Sequence, residues 1–202
     1  MSFCKYEYLR IPRFTAVLEE DVGNLLVSNA KEKTFAHVCA VAQTSRRIAD
    51  QFGLDAEICM ASALLHDISA ILRPADMLSH AREAGLFIDE SEERFPFLLH
   101  QRFARMLSED LFGIRETRIL NAVECHSTLK ANPSSYDMTL FVADKLSWDK
   151  EGQPPYFDSV SAALDCSLES ASLAYMDYIV DNKMILLPHR WFAEAREFLR
   201  KS

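Results

Sequence analysis

Apolar residues along this chain recur at the three- and four-residue spacing of helices and do not alternate as they would in strands. Only five of the 202 residues are glycine, which also favours helices. The pattern predicts helices near residues 14–29, 34–52, 55–70, 74–84, 96–112, 115–127, 136–149, 158–182 and 189–201. Gly53, Gly85 and Gly113 lie where helices are expected to end, and Pro74 suits a first helical turn. We therefore predict an all-α bundle of about eight or nine helices.

The chain length predicts a single domain with one hydrophobic core. No internal repeat is visible, and the clearest loop, KEGQPPY at residues 150–156, is too short to link two domains. We expect residues 1–202 to form one domain, with a core over about 30–150 and C-terminal helices 158–201 packed on it.

Charge and cysteine usage exclude several classes of protein. The net charge of −8 disfavours a nucleic-acid surface, because phosphate backbones are bound by clustered Lys and Arg. The N-terminus carries charges where a signal peptide is apolar, and no stretch approaches the roughly 18 apolar residues of a membrane span. We expect a cytoplasmic protein with no membrane partner. Free thiols are predicted for the five widely spaced cysteines, Cys4, Cys39, Cys59, Cys125 and Cys166.

Several histidines and aspartates lie on otherwise apolar helical faces, where an unpaired charge or imidazole is costly. Each alone is more simply a hydrogen-bonded core residue. Together they occupy five predicted helices, and few Lys or Arg share those faces to neutralise the carboxylates. Neutral imidazoles and carboxylates suit iron, manganese or zinc. The pattern therefore predicts a metal site formed by His37, His66, Asp67, His100, His126 and Asp144. Helical spacing indicates the inward position of the last four, whereas His37 and His66 depend more on the family resemblance that follows.

The order of these residues, H…HD…H…H…D, resembles the HD superfamily of metal-dependent phosphohydrolases, whose adjacent pair is His66-Asp67 in ASALLHDIS. The blocks FLLHQRFARMLSEDLFGI, ILNAVECHST and LFVADKLS are similar to the YqeK-type subfamily, the symmetrical bis(5'-nucleosyl)-tetraphosphatases. The resemblance implies an all-α fold, a dinuclear metal centre and cleavage of diadenosine tetraphosphate into two ADP. Iron is the metal it favours, with Mn, Mg, Zn or Ni as alternatives.

The resemblance also assigns roles to residues. His37, His66 and Asp144 would hold one metal, His100 and His126 the other, and Asp67 would bridge them. The expected catalytic residues are Asp67, His66 and Lys145, and the expected substrate-binding residues are Lys145, Arg102 and Arg105. For the three cationic residues an ordinary surface position is the competing interpretation. The two remaining histidines are assigned no role in the site: His80 is expected to be exposed, and His189 to cap the last helix.

The chain departs from the subfamily pattern around the site. Thr34 and Ala70 stand where relatives often have Arg and Lys, and Leu129 stands where HT-x-G has its glycine. Residues 147–150, SWDK, replace an E-P-x-R sequence. These differences keep two other functions open, a diiron oxygenase of the same fold and a nucleotide-binding module with little turnover. A small-molecule nucleotide remains the expected ligand, and a homodimer is possible.

Overall fold

The computed structural model describes residues 7–148 and 151–201, and within those residues it contains helices and no strand. Eleven α-helices follow one another as α1 (Leu18–Ser28), α2 (Glu32–Phe52), α3 (Ala56–Leu65), α4 (Pro74–Glu83), α5 (Glu90–Arg94), α6 (His100–Asp110), α7 (Thr117–Cys125), α8 (Ser135–Leu146), α9 (Phe157–Leu164), α10 (Leu168–Asp181) and α11 (Arg190–Leu199). Short 3-10 helices, Ile68–Ile71 and Pro96–Leu99, precede α4 and α6. The predicted all-α class is confirmed, with more helices than expected.

The core lies where α2, α3, α7 and α8 pack against one another, with α6 against α7. Its largest fully buried side chains include Phe103 and Phe141. The C-terminal helices α9 and α10 pack on each other and on α8, and α11 packs on α10. In this arrangement α2, α3 and α8 pack on one another, and each leads to or carries a residue of the site described below. Among the described residues, no single helix is long and apolar enough to cross a membrane.

The helix boundaries differ from the predicted ones at several points. The single helix predicted over 158–182 is wrong, because α9 ends at Leu164 and a new helix, α10, follows. Ser167 is the N-terminal cap of α10 and accepts a hydrogen bond from the Ser170 amide. A serine at a helix N-terminus satisfies an otherwise unpaired amide, which favours a new helix over continuation. Gly53 does end α2 in the left-handed conformation, with a φ of 65°. The four cysteines within the described residues are free, and Cys4 lies outside them.

The two histidines outside the predicted site are both buried. His189 caps α11 as predicted, by accepting a hydrogen bond from the Trp191 amide. The prediction of an exposed His80 is wrong, because its side chain packs edge-on against Phe103 and is 6% exposed. The residues around His80 in the sequence are mostly polar, which indicates exposure, but the face of α4 that carries Met77, His80 and Ala81 is buried.

Glu92 is a buried carboxylate that ties three parts of the chain together. It is fully buried and accepts a hydrogen bond from the Asp89 amide at 2.8 Å. Its other contacts are the Arg102 guanidinium on α6 at 3.2 Å and the His189 imidazole at 3.6 Å. Burial alone would raise the pKa of Glu92, but the His189 side chain, the Asp89 amide and the Arg102 charge outweigh it and lower the pKa. The carboxylate is therefore charged at neutral pH.

We expect Glu92→Ala to lower the free energy of unfolding by about 3 kcal/mol, because it leaves the Arg102 charge buried without its partner. Chemical denaturation measures this. Glu93→Ala is the matched control, since its exposed pair with Arg82 is worth less than about 1 kcal/mol. Because the folded pKa of Glu92 lies below its unfolded value of about 4.5, its stabilisation is present above that pH and is lost on acidification. Equal losses in the two variants would contradict this role.

Candidate metal centre

The His66-Asp67 pair lies at the end of a helix. The sequence predicts both residues inside a helix over 55–70, but α3 ends at Leu65 and His66 is its C-terminal cap. Asp67 leaves the helical conformation, with φ −114° and ψ 15°, and the chain continues into the short 3-10 helix. That part of the prediction is wrong. The bend turns both side chains toward the ends of α2, α7 and α8.

Three imidazoles are held by the same local hydrogen bond. In each, Nδ1 lies within hydrogen-bond distance of the backbone carbonyl three residues earlier. The pairs are His66 with Ala63 at 2.7 Å, His100 with Phe97 at 2.7 Å and His126 with Val123 at 2.9 Å. A carbonyl can only accept, so Nδ1 carries the hydrogen and, in the neutral ring, Nε2 carries a lone pair. A metal-binding histidine is commonly oriented in this way.

The carboxylate of Asp67 lies between two groups of histidines. Its Oδ2 is 3.6 Å from His66 Nε2, whereas its Oδ1 is 3.7 Å from His100 Nε2 and 3.6 Å from His126 Nε2. These separations are too long for hydrogen bonds and suit two ligands of one ion. The two oxygens of Asp67 therefore face different groups.

The first group is completed by His37 from α2 and Asp144 from α8. Asp144 Oδ1 is 3.1 Å from His37 Nε2 and 3.7 Å from His66 Nε2. His37, His66 and Asp67 present ligand atoms within 4.8 Å of one another, as do Asp67, His100 and His126. The structure thus brings all six predicted residues into one cluster.

The donors of the second group fit a cation. His100 Nε2 and His126 Nε2 are 2.9 Å apart, and each carries a lone pair when its Nδ1 donates to a carbonyl. Two lone pairs cannot hydrogen-bond to each other, but both can coordinate one metal ion. In the first group, His66 Nε2 is buried with no hydrogen-bond partner. A buried polar atom of this kind is costly unless a ligand satisfies it.

The charges of the cluster also suit metal binding. Burial would raise the pKa of Asp67, but the imidazoles of His66, His100 and His126 lower it overall. Burial and the neighbouring imidazoles of His66 and His100 lower the pKa of His126 well below its ordinary value. A charged carboxylate and neutral imidazoles are the protonation states that bind metals.

A pocket of about 330 Å³ opens beside the first group of donors. We call it the polar pocket. It is lined by Lys33, Thr34, His37, Asp67, Asp144, Lys145, Ser147, Trp148 and Tyr156. Lys33, Trp148 and Tyr156 are not among the site residues predicted from the sequence. The sequence contained a signal for two of them, because Lys33 is next to Thr34 and Trp148 belongs to the segment 147–150, both of which depart from the subfamily pattern. Tyr156 had no such signal, and only the fold brings it to the pocket.

Lys145 lines the polar pocket and is largely buried. Its side chain is 12% exposed and its Nζ lies 2.5 Å from Asp144 Oδ2. The same Nζ lies over the ring of Phe141 at 5.1 Å and that of Tyr175 at 5.6 Å. Burial would raise the pKa of Asp144, but the Lys145 charge and the His37 hydrogen bond hold it well below its usual range. A positive charge is therefore held beside the metal donors.

The structure does not bring Arg102 and Arg105 to the polar pocket. Arg102 contacts the buried Glu92, and its Nη1 donates to the Phe87 carbonyl at 2.5 Å. Arg105 pairs with Glu124 at 2.7 Å. Both guanidinium groups are thus engaged by protein carboxylates, which leaves the predicted phosphate contacts without structural support.

The backbone at Leu129 retains the conformation expected of the glycine in HT-x-G. Its φ is 54°, and its amide donates to the Cys125 carbonyl at 2.6 Å beyond the end of α7. The left-handed conformation costs a side-chain-bearing residue about 1–2 kcal/mol, which the complete burial of Leu129 offsets. The turn after His126 therefore keeps its shape without glycine.

Lys33 lines the polar pocket beside Thr34 and supplies positive charge there. We expect Lys33→Met to raise KM for a nucleotide about tenfold while kcat stays within about twofold, because a phosphate contact made equally in ground and transition states changes KM alone. Steady-state kinetics measure both constants. Lys31→Met removes the same charge outside the pocket lining and should leave them unchanged. Indistinguishable kinetics in the two variants would exclude Lys33 from the site.

Comparison with protein families assigns most of the segment that carries these residues to a known domain. The family model for the HD domain matches residues 34–149, a segment that contains all six clustered residues. An uncharacterised protein from the region 5' of pepC in Lactococcus lactis subsp. cremoris is 35% identical over 138 residues, covering 68% of this chain and 70% of that protein.

Two further relatives carry names that state a probable or predicted activity. A probable nicotinate-nucleotide adenylyltransferase/Ap4A hydrolase of Mycoplasma genitalium is 27% identical over 117 residues, or 57% of this chain. This chain matches only 32% of that protein's length. The crystal structure of a predicted HD superfamily hydrolase involved in NAD metabolism from Clostridium acetobutylicum superposes with a TM-score of 0.79 at 26% identity, covering 90% of this chain and 96% of that one.

Proposed function

This chain belongs to the HD-domain family, the metal-dependent phosphohydrolases, and from that premise we propose that it hydrolyses a phosphoanhydride bond of a nucleotide. The specific substrate we propose is diadenosine tetraphosphate, cleaved symmetrically into two ADP as in the YqeK-type subfamily. The Ap4A hydrolase in the name of the Mycoplasma genitalium relative supports this choice, and the Clostridium acetobutylicum protein, a predicted hydrolase involved in NAD metabolism, agrees with action on a nucleotide.

The observation that carries the proposal is the position of Asp67 between two sets of donors. Oδ2 faces the group of His37, His66 and Asp144, and Oδ1 faces His100 and His126. We propose that these groups hold two metal ions, iron being the first candidate. When bound, such a pair clamps phosphate oxygens, lowers the pKa of a water and stabilises charge on the attacking and leaving oxygens.

The chain's own residues bind and orient the substrate in this proposal. Lys145 and Lys33 line the polar pocket and present positive charge to the polyphosphate. The backbone carbonyls that accept hydrogen bonds from Nδ1 of His66, His100 and His126 fix the direction of each Nε2. The family-matched segment supplies all six donors, while Tyr156 lies beyond it and closes the pocket, so we propose that residues 1–202 act as one unit.

A panel of nucleotides tests the proposal. Protein as purified is analysed for metals and then assayed with diadenosine tetraphosphate, nucleoside triphosphates and inorganic tripolyphosphate, with products separated by chromatography. We expect ADP as the single nucleotide product from diadenosine tetraphosphate. A mixture of ATP and AMP would contradict symmetrical cleavage. Absence of turnover across the panel in metal-replete protein would overturn the hydrolase proposal, and oxygen uptake with an organophosphonate would then favour an oxygenase.

A further inference from the structure

A second pocket, also of about 330 Å³, lies on the other side of Lys145. We call it the apolar pocket. Its lining is mainly apolar and aromatic, and comes from the segment before α6, the turn after α7, α8, α10, α11 and the loop between α10 and α11. It comprises Phe97, Leu98, Ser127, Thr128, Lys145, Tyr175, Ile179, Met184, Ile185, Leu187, His189 and Phe192. None of the proposed metal ligands belongs to this lining.

Two residues of the apolar pocket contact residues of the candidate metal centre. Ser127 lines the pocket, and its Oγ lies 3.1 Å from His100 Nε2, in the second group of donors. Lys145 lines both pockets and contacts Asp144 in the first group. A ligand in the apolar pocket would therefore lie next to a residue that contacts each group of donors.

The chemistry of the walls indicates the occupant. Phe97, Tyr175 and Phe192 offer aromatic surface, and the Ser127 hydroxyl offers a polar contact. The volume is at the lower limit of the roughly 300–1,000 Å³ of small-molecule pockets, and a mainly apolar wall with few polar groups is typical of them. A flat heterocycle fits this surface, and the anion attached to it would meet Lys145.

We propose that the apolar pocket binds the purine base of the nucleotide whose phosphates lie at the metal centre, an inference that rests on the proposed function. The two pockets then have different roles: the apolar pocket binds the purine, and the polar pocket presents the positive charge of Lys33. Recognition of a single base in this pocket sets KM for nucleotides and leaves base-free polyphosphates unaffected.

The experiment measures binding of adenosine and of guanosine to the full chain by calorimetry, in wild type and in two variants. Leu187→Trp fills the pocket from its half-buried loop wall. Leu186→Trp is the matched control, since Leu186 is 84% exposed and does not line the pocket. We expect wild type to bind at least one nucleoside with a Kd of about 0.1–1 mM, Leu187→Trp to bind at least about tenfold more weakly, and Leu186→Trp to match wild type.

Kinetics provide the second measurement. Leu187→Trp should raise KM for the nucleotide about tenfold with kcat within about twofold, because the base lies away from the reacting phosphorus. Leu98→Trp, which fills the pocket from another position in its lining, replaces it if Leu187→Trp fails to fold. Absence of binding by both nucleosides at about ten times the expected Kd, or equal binding by the filled variant and wild type, overturns the proposal.

The failures of the two proposals are distinguishable. Nucleoside binding that is weakened by Leu187→Trp, in a protein that hydrolyses no nucleotide, supports the purine site and overturns the hydrolase proposal. Nucleotide hydrolysis with an unchanged KM in Leu187→Trp supports the hydrolase and overturns the purine site.

Discussion

Asp67→Ala is expected to remove metal from both groups of donors and to lower nucleotide hydrolysis at least about a thousandfold. Each carboxylate oxygen of Asp67 faces a different group, at 3.6 Å from His66 Nε2 on one side and from His126 Nε2 on the other. Loss of this one side chain therefore takes a negative ligand from both sites, and with it the main electrostatic stabilisation of the transition state. Elemental analysis after gel filtration measures metal content, and steady-state kinetics measure the activity.

Two further variants separate the bridging role from a general effect of lost charge. Asp144→Ala removes a donor of the first group only, so the second group of Asp67, His100 and His126 should retain its metal. Asp76→Ala removes an aspartate that pairs with Arg73 away from the site, and should change neither metal content nor activity. Retention of both metals in Asp67→Ala would refute the bridging assignment.

Lys145→Met is expected to lower kcat/KM about 10- to 100-fold, because a charged hydrogen bond to substrate is worth about 1.5–3 kcal/mol. Met keeps an unbranched apolar side chain of similar size and removes the ammonium group that lies over the rings of Phe141 and Tyr175. Kinetics with diadenosine tetraphosphate measure the loss. Lys130→Met removes a charge that pairs with Asp137 away from the polar pocket, and serves as the control.

The pH profile of Lys145→Met distinguishes this role from simple support of the fold. The Lys145 charge is the main influence that lowers the pKa of Asp144 against its burial. Without that charge the carboxylate takes up a proton at a higher pH, so the acidic limb of activity and of metal binding should move upward. An unchanged kcat/KM together with an unchanged acidic limb would exclude Lys145 from the site.

Local features of the sequence predict much of this protein because they depend on neighbours along the chain. Helical spacing of apolar residues indicates the all-α class, and Gly53, Pro74 and His189 mark helix ends that the structure contains. The buried position of His126 follows from the same spacing, since a residue seven positions from a core residue lies on the same helical face. The ordered set of histidines and aspartates could therefore be recognised before any contact was known.

Tertiary contacts decide the features on which chemistry depends. Sequence patterns could not show that α3 ends at Leu65, that the oxygens of Asp67 face opposite groups, or that Tyr156 lines the polar pocket. The sequence also could not show the partner of Arg102, because the buried Glu92 that pairs with its guanidinium group comes from a different helix. Helical periodicity reports which face of an element is buried. The partner of each buried polar group is set by segments far away in the chain, and that pairing determines the site.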